Sequence, residues 1–162
     1  MQLIVKSIYS LSLIFWLGSI FFFSLFAAPS IFKVLPKNLA GDLIADIFTK
    51  YYFISYVCGT ASLITLIISF LKGYLDKNFL NLLGTLLIII MLGLALYSGT
   101  IVRNKVSDVK YEMRLVEQTS EYYNVLKKKF GRLHGESAVL NLVIFIFGIA
   151  LVIINTYNIM VE

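Results

Sequence analysis

Cysteine occurs once in the 162-residue chain, at Cys58, histidine once, at His134, and proline only twice. A single cysteine excludes an intrachain disulfide and a cysteine-built metal cluster. A single histidine with no suitably placed methionine excludes the common two-ligand membrane haem site. No P-loop, HExxH, CxxC or nucleophile–base pair is present, so the residues point away from an enzyme and require no cofactor. Charge is scarce as well: charged residues are 14% of the chain, against about 25% in soluble domains. No acidic residue lies deep within a long apolar run, which argues against a carboxylate proton relay.

Apolar residues are 59% of the chain, against about 45–50% in soluble domains. A soluble protein of this size has too little interior to hide them. The charges are also grouped. Uncharged runs of 26, 21, 25 and 25 residues separate Lys6 from Lys33, Lys50 from Lys72, Lys77 from Arg103, and Glu136 from Glu162. A helix of about 20 apolar residues crosses a hydrocarbon core of about 30 Å, so all four runs qualify. Residues 82–96 alone hold ten Leu or Ile. β-barrel spans are shorter and alternate in polarity, and these do not. The first run superficially fits a signal peptide, with Lys6 before it and Leu25-Phe26-Ala27-Ala28 at its end. It is longer than an h-region of about 7–15 residues, and Phe26 is too bulky for the −3 position, so a retained helix is expected.

The expected fold class is therefore all-α: an integral membrane four-helix bundle occupying residues 1–162 as a single membrane domain. Helix 1 is expected over 4–28, stopped by Pro29. Residues 37–50 form a short amphipathic helix, capped by Asn38, with Leu39, Leu43, Ile44, Ile47 and Phe48 as its apolar stripe. This helix lies at the membrane interface or leads into helix 2, over 51–71. A short link through Asp76, Lys77 and Asn78 makes helix 3, over 79–102, its antiparallel neighbour. Val102, Val106, Val109, Met113 and Val116 then continue the helical period, so helix 3 runs on beyond the membrane. Gln118-Thr119-Ser120 reads as a turn, with Ser120 capping a returning helix that Gly131 breaks. Residues 103–131 are thus expected to form a projecting helical hairpin, and helix 4 to span 133–158.

Lys and Arg number eleven in the 1–2 and 3–4 loops and three on the other side. This asymmetry puts both large loops in the cytoplasm of a cell membrane, with both termini outside. The net charge of +5 is what that topology requires, and no nucleic-acid partner is implied. Lys127-Lys128-Lys129 with Arg132 can hold anionic headgroups at roughly 1 kcal/mol per basic residue, or serve topology alone.

Two spans carry polar seams. Helix 2 has Ser55, Cys58, Ser62, Thr65 and Ser69 at alternating steps of three and four. Such residues either let helices approach closely or line a polar path. Helix 4 has His134, Asn141, Gly148 and Asn155, each seven apart, with Ser137 beside the first two. Asn141 is costly to leave unpaired in lipid and should face a partner helix or water. His134 is either an interfacial side chain bonded to a carbonyl or headgroup, or a proton site or ligand. Arg132 and Glu136 lie close enough in sequence to pair with it. In helix 1, Trp16, Gly18 and Ser19 sit near mid-span, where a buried Trp either meets a polar partner on helix 2 or 4 through its indole N–H or, the favoured reading, simply packs.

Three stretches carry a family resemblance. They are Trp16-Leu17-Gly18-Ser19 with Ala28-Pro29-Ser30-Ile31-Phe32; Ala40-Gly41 through Ile47-Phe48 to Tyr51-Tyr52; and Phe130-Gly131-Arg132-Leu133-His134-Gly135-Glu136-Ser137 with Asn141-Leu142. Together they resemble the small four-helix membrane proteins typified by transmembrane protein 205, a domain of unknown function. A second Gly often follows the Trp-x-Gly of that family, where this chain has Ser19. The resemblance implies a four-helix fold, with suggested roles tending towards export or tolerance of metals and drugs. The matching positions are Trp16, Gly18, Pro29, Phe32, Gly41, Tyr52, Arg132, His134, Ser137 and Asn141.

Two functions follow as expectations: a small transport or permeation protein acting as a homo-oligomer, with the seams of helices 2 and 4 lining the path, or a scaffold whose hairpin docks a protein partner. The topology is directly testable. A reporter that is active only in the cytoplasm should be silent when fused after Glu162, and activity there overturns the orientation.

Overall fold

The computed structural model describes residues 1–161, with side chains through Asn158. Those residues fold into four long helices and no strand: α1 (Gln2–Val34), α2 (Lys37–Leu71), α3 (Phe79–Leu115) and α4 (Glu121–Val161). Each contains one of the uncharged runs, and each is long and apolar enough to cross a membrane. In the most apolar stretch of each helix only 28–39% of residues are buried, so the bundle turns most of its Leu, Ile and Phe outward, as lipid allows and water does not. At about 1.5 Å per residue, α2, α3 and α4 all exceed the hydrocarbon thickness. Their excess lies at one end, the basic end, where α1 also terminates.

Pro29 does not stop helix 1. The chain continues as helix to Val34, and Phe23–Ala27, immediately ahead of the proline, forms a π-turn in which the Ala28 N–H donates to the Phe23 carbonyl. A proline has no N–H to give and its ring crowds the carbonyl four residues back. Widening the preceding turn accommodates both defects without leaving helical geometry. A second π-turn, Tyr97–Val102, interrupts α3 near the end of its apolar run.

Three other boundaries also move. The amphipathic segment 37–50 is not a separate helix; it is the first part of α2, which starts behind Pro36, and Asn38 lies inside the first turn rather than capping it. Ala40 and Ile44 on that segment are buried against the bundle. Nor does Gly131 break the return: α4 is continuous from Glu121 through the membrane. A helical Gly costs about 1 kcal/mol relative to Ala, less than an interruption that frees several backbone groups beside the membrane.

The expected turns are short and well capped. Gly73, with φ +67°, closes α2 in a Schellman arrangement, its N–H donating to Phe70 and the Tyr74 N–H to Ser69. Asn78 caps α3 by accepting from the Asn81 N–H, and Ser120 caps α4 by accepting from the Tyr123 N–H at 3.1 Å. Val109 on α3 and Leu126 on α4 are both buried inside the hairpin they form.

At mid-height Trp16, Leu13, Ile88, Met91, Ile144 and Leu151 form a packed layer, each at most 2% exposed. Glycines set its dimensions. A Cβ on Gly148 would lie 2.1 Å from Leu17 Cδ2, and one on Gly59 would lie 3.0 Å from the Trp16 ring. Gly18, by contrast, faces open space. Gly148→Val should therefore separate α1 from α4 and cost about 1–3 kcal/mol. Gly18→Ala should leave stability unchanged or raise it slightly, since only helix propensity acts there. Thermal unfolding of the two variants in detergent checks both.

Candidate functional site

Adjacent tyrosines on α2 point to different neighbours, because successive helical residues are about 100° apart. The Tyr51 hydroxyl donates to Asn141 Oδ1 on α4 at 2.8 Å. The Tyr52 hydroxyl lies 2.7 Å from Ser98 Oγ on α3 and 3.3 Å from Ser137 Oγ on α4. Ser98 belongs to the π-turn of α3 and is fully buried; the next residue, Gly99, has no room for a Cβ, which would fall 2.7 Å from Tyr52 Cγ and 2.0 Å from Tyr56 Oη. The wide turn thus lets α3 approach α2 closely enough for the Ser98 hydroxyl to reach the tyrosine. Three helices are tied by hydroxyl and amide groups alone.

Two cavities flank this knot. One, of about 470 Å³, lies among α2, α3 and α4 and includes Tyr52, Val102, Arg103 and Lys110. The other, of about 440 Å³, lies between α1, α2 and α4 and includes Tyr51, Asn141 and the π-turn residues Phe23 and Ser24. Phe48, His134 and Ser137 line both. The cavities therefore meet at one seam, with a π-turn on each side of it. Turns of this kind recur at functional sites.

The first cavity is bordered by a charged clamp. Lys110 donates to Asp42 at 2.6 Å, and Arg114 donates to the same carboxylate. Gly41, beside Asp42, passes next to the Lys110 side chain, where a Cβ would make ordinary contact at 3.4 Å from Nζ. The Lys110 hydrogen bond, with Arg114 beside it, holds the Asp42 carboxyl below the usual carboxylate range. A depressed carboxylate stabilises the fold above its unfolded pKa and loses that contribution only as pH falls through the lower folded value. The clamp therefore persists in mild acid. On the opposite face of α4, Glu136 accepts from the Tyr97 hydroxyl at 2.9 Å.

The family pattern of the domain of unknown function DUF4149 matches residues 11–114. The chain belongs to the DUF4149 family. Neither a curated protein nor a solved structure matches it. The DUF4149 match takes in α1 from Leu11, all of α2 and α3 to Arg114, and so includes Phe48, Tyr51, Tyr52, Ser98 and Lys110 but none of α4.

Within this DUF4149 chain the residues singled out by sequence separate into two groups. His134, Ser137, Asn141 and Tyr52 come together at the seam of the cavities. Ser55 and Ser62 do not line either cavity. Both are buried; Ser55 donates to its own helix at the Tyr51 carbonyl, while Ser62 Oγ has no partner among the described residues. Further along the same seam, Thr65 and Ser69 line a separate, smaller cavity with Asn155 of α4. Trp16 is fully buried and its indole N–H has no partner on any described residue, which matches ordinary packing and not the polar contact. Gly18, Pro29 and Arg132 are exposed and outside both cavities, as are Lys127, Lys128 and Lys129. His134 makes no hydrogen bond to another described residue; its ring lies parallel to that of Phe130 at 6.3 Å.

Sequence reasoning missed Ser98, Gly99, Arg103 and Lys110 as site residues. The available signal was the Ser98-Gly99 pair interrupting the Leu/Ile run of span 3. Tyr52→Phe should cost about 0.5–1.5 kcal/mol, the net worth of one hydrogen bond. Combined with Ser98→Ala it should cost less than the sum of the two, because both remove the same contact. A double-mutant cycle on thermal unfolding reads this coupling.

Proposed function

We propose that this protein binds an amphiphilic solute in the paired cavities, as the loading step of a small transport or permeation protein acting as a homo-oligomer, with its basic end in the cytoplasm. The observation that carries this reading is the pair of cavities meeting at Phe48, His134 and Ser137. Each is within the roughly 300–1,000 Å³ of ordinary small-molecule sites, mostly apolar with a few convergent polar groups. One abuts the charged clamp and the other lies among residues of the apolar spans, which suits a molecule with a polar head and an apolar body.

No continuous path is open, because the packed layer at Trp16, Ile88 and Ile144 lies between the cavities and the other end of the bundle. Transport therefore requires α1 and α4 to part, and they are the helices with the shorter shared contact. Four helices enclose little room alone, so a second copy supplies the missing wall. The resemblance to transmembrane protein 205-like proteins, with their suggested export roles, supports the same reading. The scaffold reading has less to stand on: Val109, which would have anchored a docking face on the hairpin, is 1% exposed.

Protein reconstituted in liposomes should release fluorescent amphiphiles, and His134→Ala with Asn141→Leu should abolish that flux while leaving the folded bundle intact by thermal unfolding. If the reconstituted protein moves none of a set of amphiphiles of either charge and stays monomeric, the transport reading falls.

A further inference from the structure

The larger cavity carries an unbalanced charge. Arg103, Lys110 and Arg114 line it, and Asp42 is its one acidic residue among those described. Asp42 is shared by Lys110 and Arg114, so one carboxylate faces two cations. Among the described residues Arg103 hydrogen-bonds only the neutral Thr49 hydroxyl. Within the cavity lining two positive charges thus lack a counter-charge, beside a low-dielectric wall of Phe32, Ile44, Phe48 and Val102. Charge-assisted contacts to an oxyanion are the natural complement, and Arg suits phosphate in particular.

Position narrows the ligand further. Arg103 follows directly on the apolar run of α3, which sets it at headgroup depth. Lys110 is roughly 10 Å further out along the helix at about 1.5 Å per residue. The second cavity, reached past Phe48 and Ser137, is lined by Phe21, Leu25, Leu142 and Phe145, with little polar surface. The Phe48 ring between the two cavities is already engaged, stacking on Tyr52 at 5.8 Å and meeting Phe23 at 4.8 Å, and the excess of cations at the larger cavity disfavours an ammonium group.

Building on the binding reading above, we infer that the occupant is an anionic phospholipid, its phosphate held by Arg103 and Lys110 and the upper part of one acyl chain lying in the α1–α4 cavity. The rest of the chain stays in the bilayer. This differs from surface attraction by Lys127, Lys128 and Lys129, which are exposed and touch neither cavity.

The test is native mass spectrometry of the purified full chain titrated with dioleoylphosphatidylglycerol or dioleoylphosphatidylcholine. One phosphatidylglycerol per chain should bind saturably, with phosphatidylcholine weaker by about tenfold or more, because its choline cation cancels the net charge and is repelled by the same basic side chains. Arg103→Gln with Lys110→Gln should remove that preference, and so should Ser107→Glu, which adds a negative charge to the cavity wall and leaves the clamp intact. Ala138→Phe, which fills the apolar cavity, should weaken binding of the diacyl lipid. Substituting Gln at Lys127, Lys128 and Lys129 should leave the single bound lipid in place. Equal binding of the two lipids, or loss of binding only in the lysine-triplet variant, overturns the inference. Displacement of the lipid by glycerol phosphate at equal concentration also overturns it, since the acyl chain then contributes nothing. Dye flux without phosphatidylglycerol preference defeats this inference alone; saturable phosphatidylglycerol binding without flux defeats only the transport reading.

Discussion

Every backbone N–H and C=O at membrane depth must find its partner within the protein, and this constraint shapes the whole molecule. Pro29 and Gly131 would be ordinary stop signals in water. Here the chain absorbs the first with a π-turn at the end of an apolar run, where ending a helix frees polar groups with no water to take them. It runs through the second in the solvated overhang at only about 1 kcal/mol. The hydroxyls of the α2 seam obey the same rule: Ser55, Thr65 and Ser69 each donate to a carbonyl of their own helix. Long unbroken rods result. Because they overrun the bilayer at one end, their tops gather into a structured layer where the clamp and cavities lie.

That overhang is what allows charge to take part. Asp42 on α2 and Lys110 on α3 sit beyond the apolar runs, where an ion pair is partly solvated and carries no large desolvation penalty. The pair fixes the spacing of α2 and α3 just above the Tyr52–Ser98 contact, which fixes it again inside the bundle. Two links of different chemistry, at two depths, hold one cavity wall. Removing either leaves the other to hold register, so the wall is less fragile than any single contact in it.

The spans were legible because absence of charge over twenty or more residues has one cheap physical solution. Ser120 was legible as a cap because a turn with a hydroxyl before an acidic first turn is a local signal, read within four residues. The four α4 residues of the stripe were legible as a face, and Asn141 did meet a partner helix. What could not be read was which of two similar residues is used. Gly18 and Gly148 look alike in sequence, yet only Gly148 touches a neighbour, because rotation of each helix about its axis is set by all its contacts together. The π-turns left only indirect marks, Pro29 after the first and the Ser98-Gly99 pair inside the second, and residues of each line one of the cavities. Of the two readings open for Trp16, packing and a polar contact, packing holds: among the described residues it sits in an apolar layer with no partner for its indole N–H.

The same layer bears on how the bundle can move. The Trp16 indole N–H and the Ser62 hydroxyl are both buried in it without a partner among the described residues. A buried unsatisfied group costs about 1–3 kcal/mol. The same layer gains from close packing of Trp16 on Gly59 and of Leu17 on Gly148, contacts that exist only while α1 stays seated on α2 and α4. Opening the layer to water forfeits the packing but restores two hydrogen bonds. The closed state is thus favoured by shape and penalised by polarity at the same residues, and the two terms are of similar size. A seal built only of leucine would carry no such opposing term, and α1 would have less to gain by leaving it.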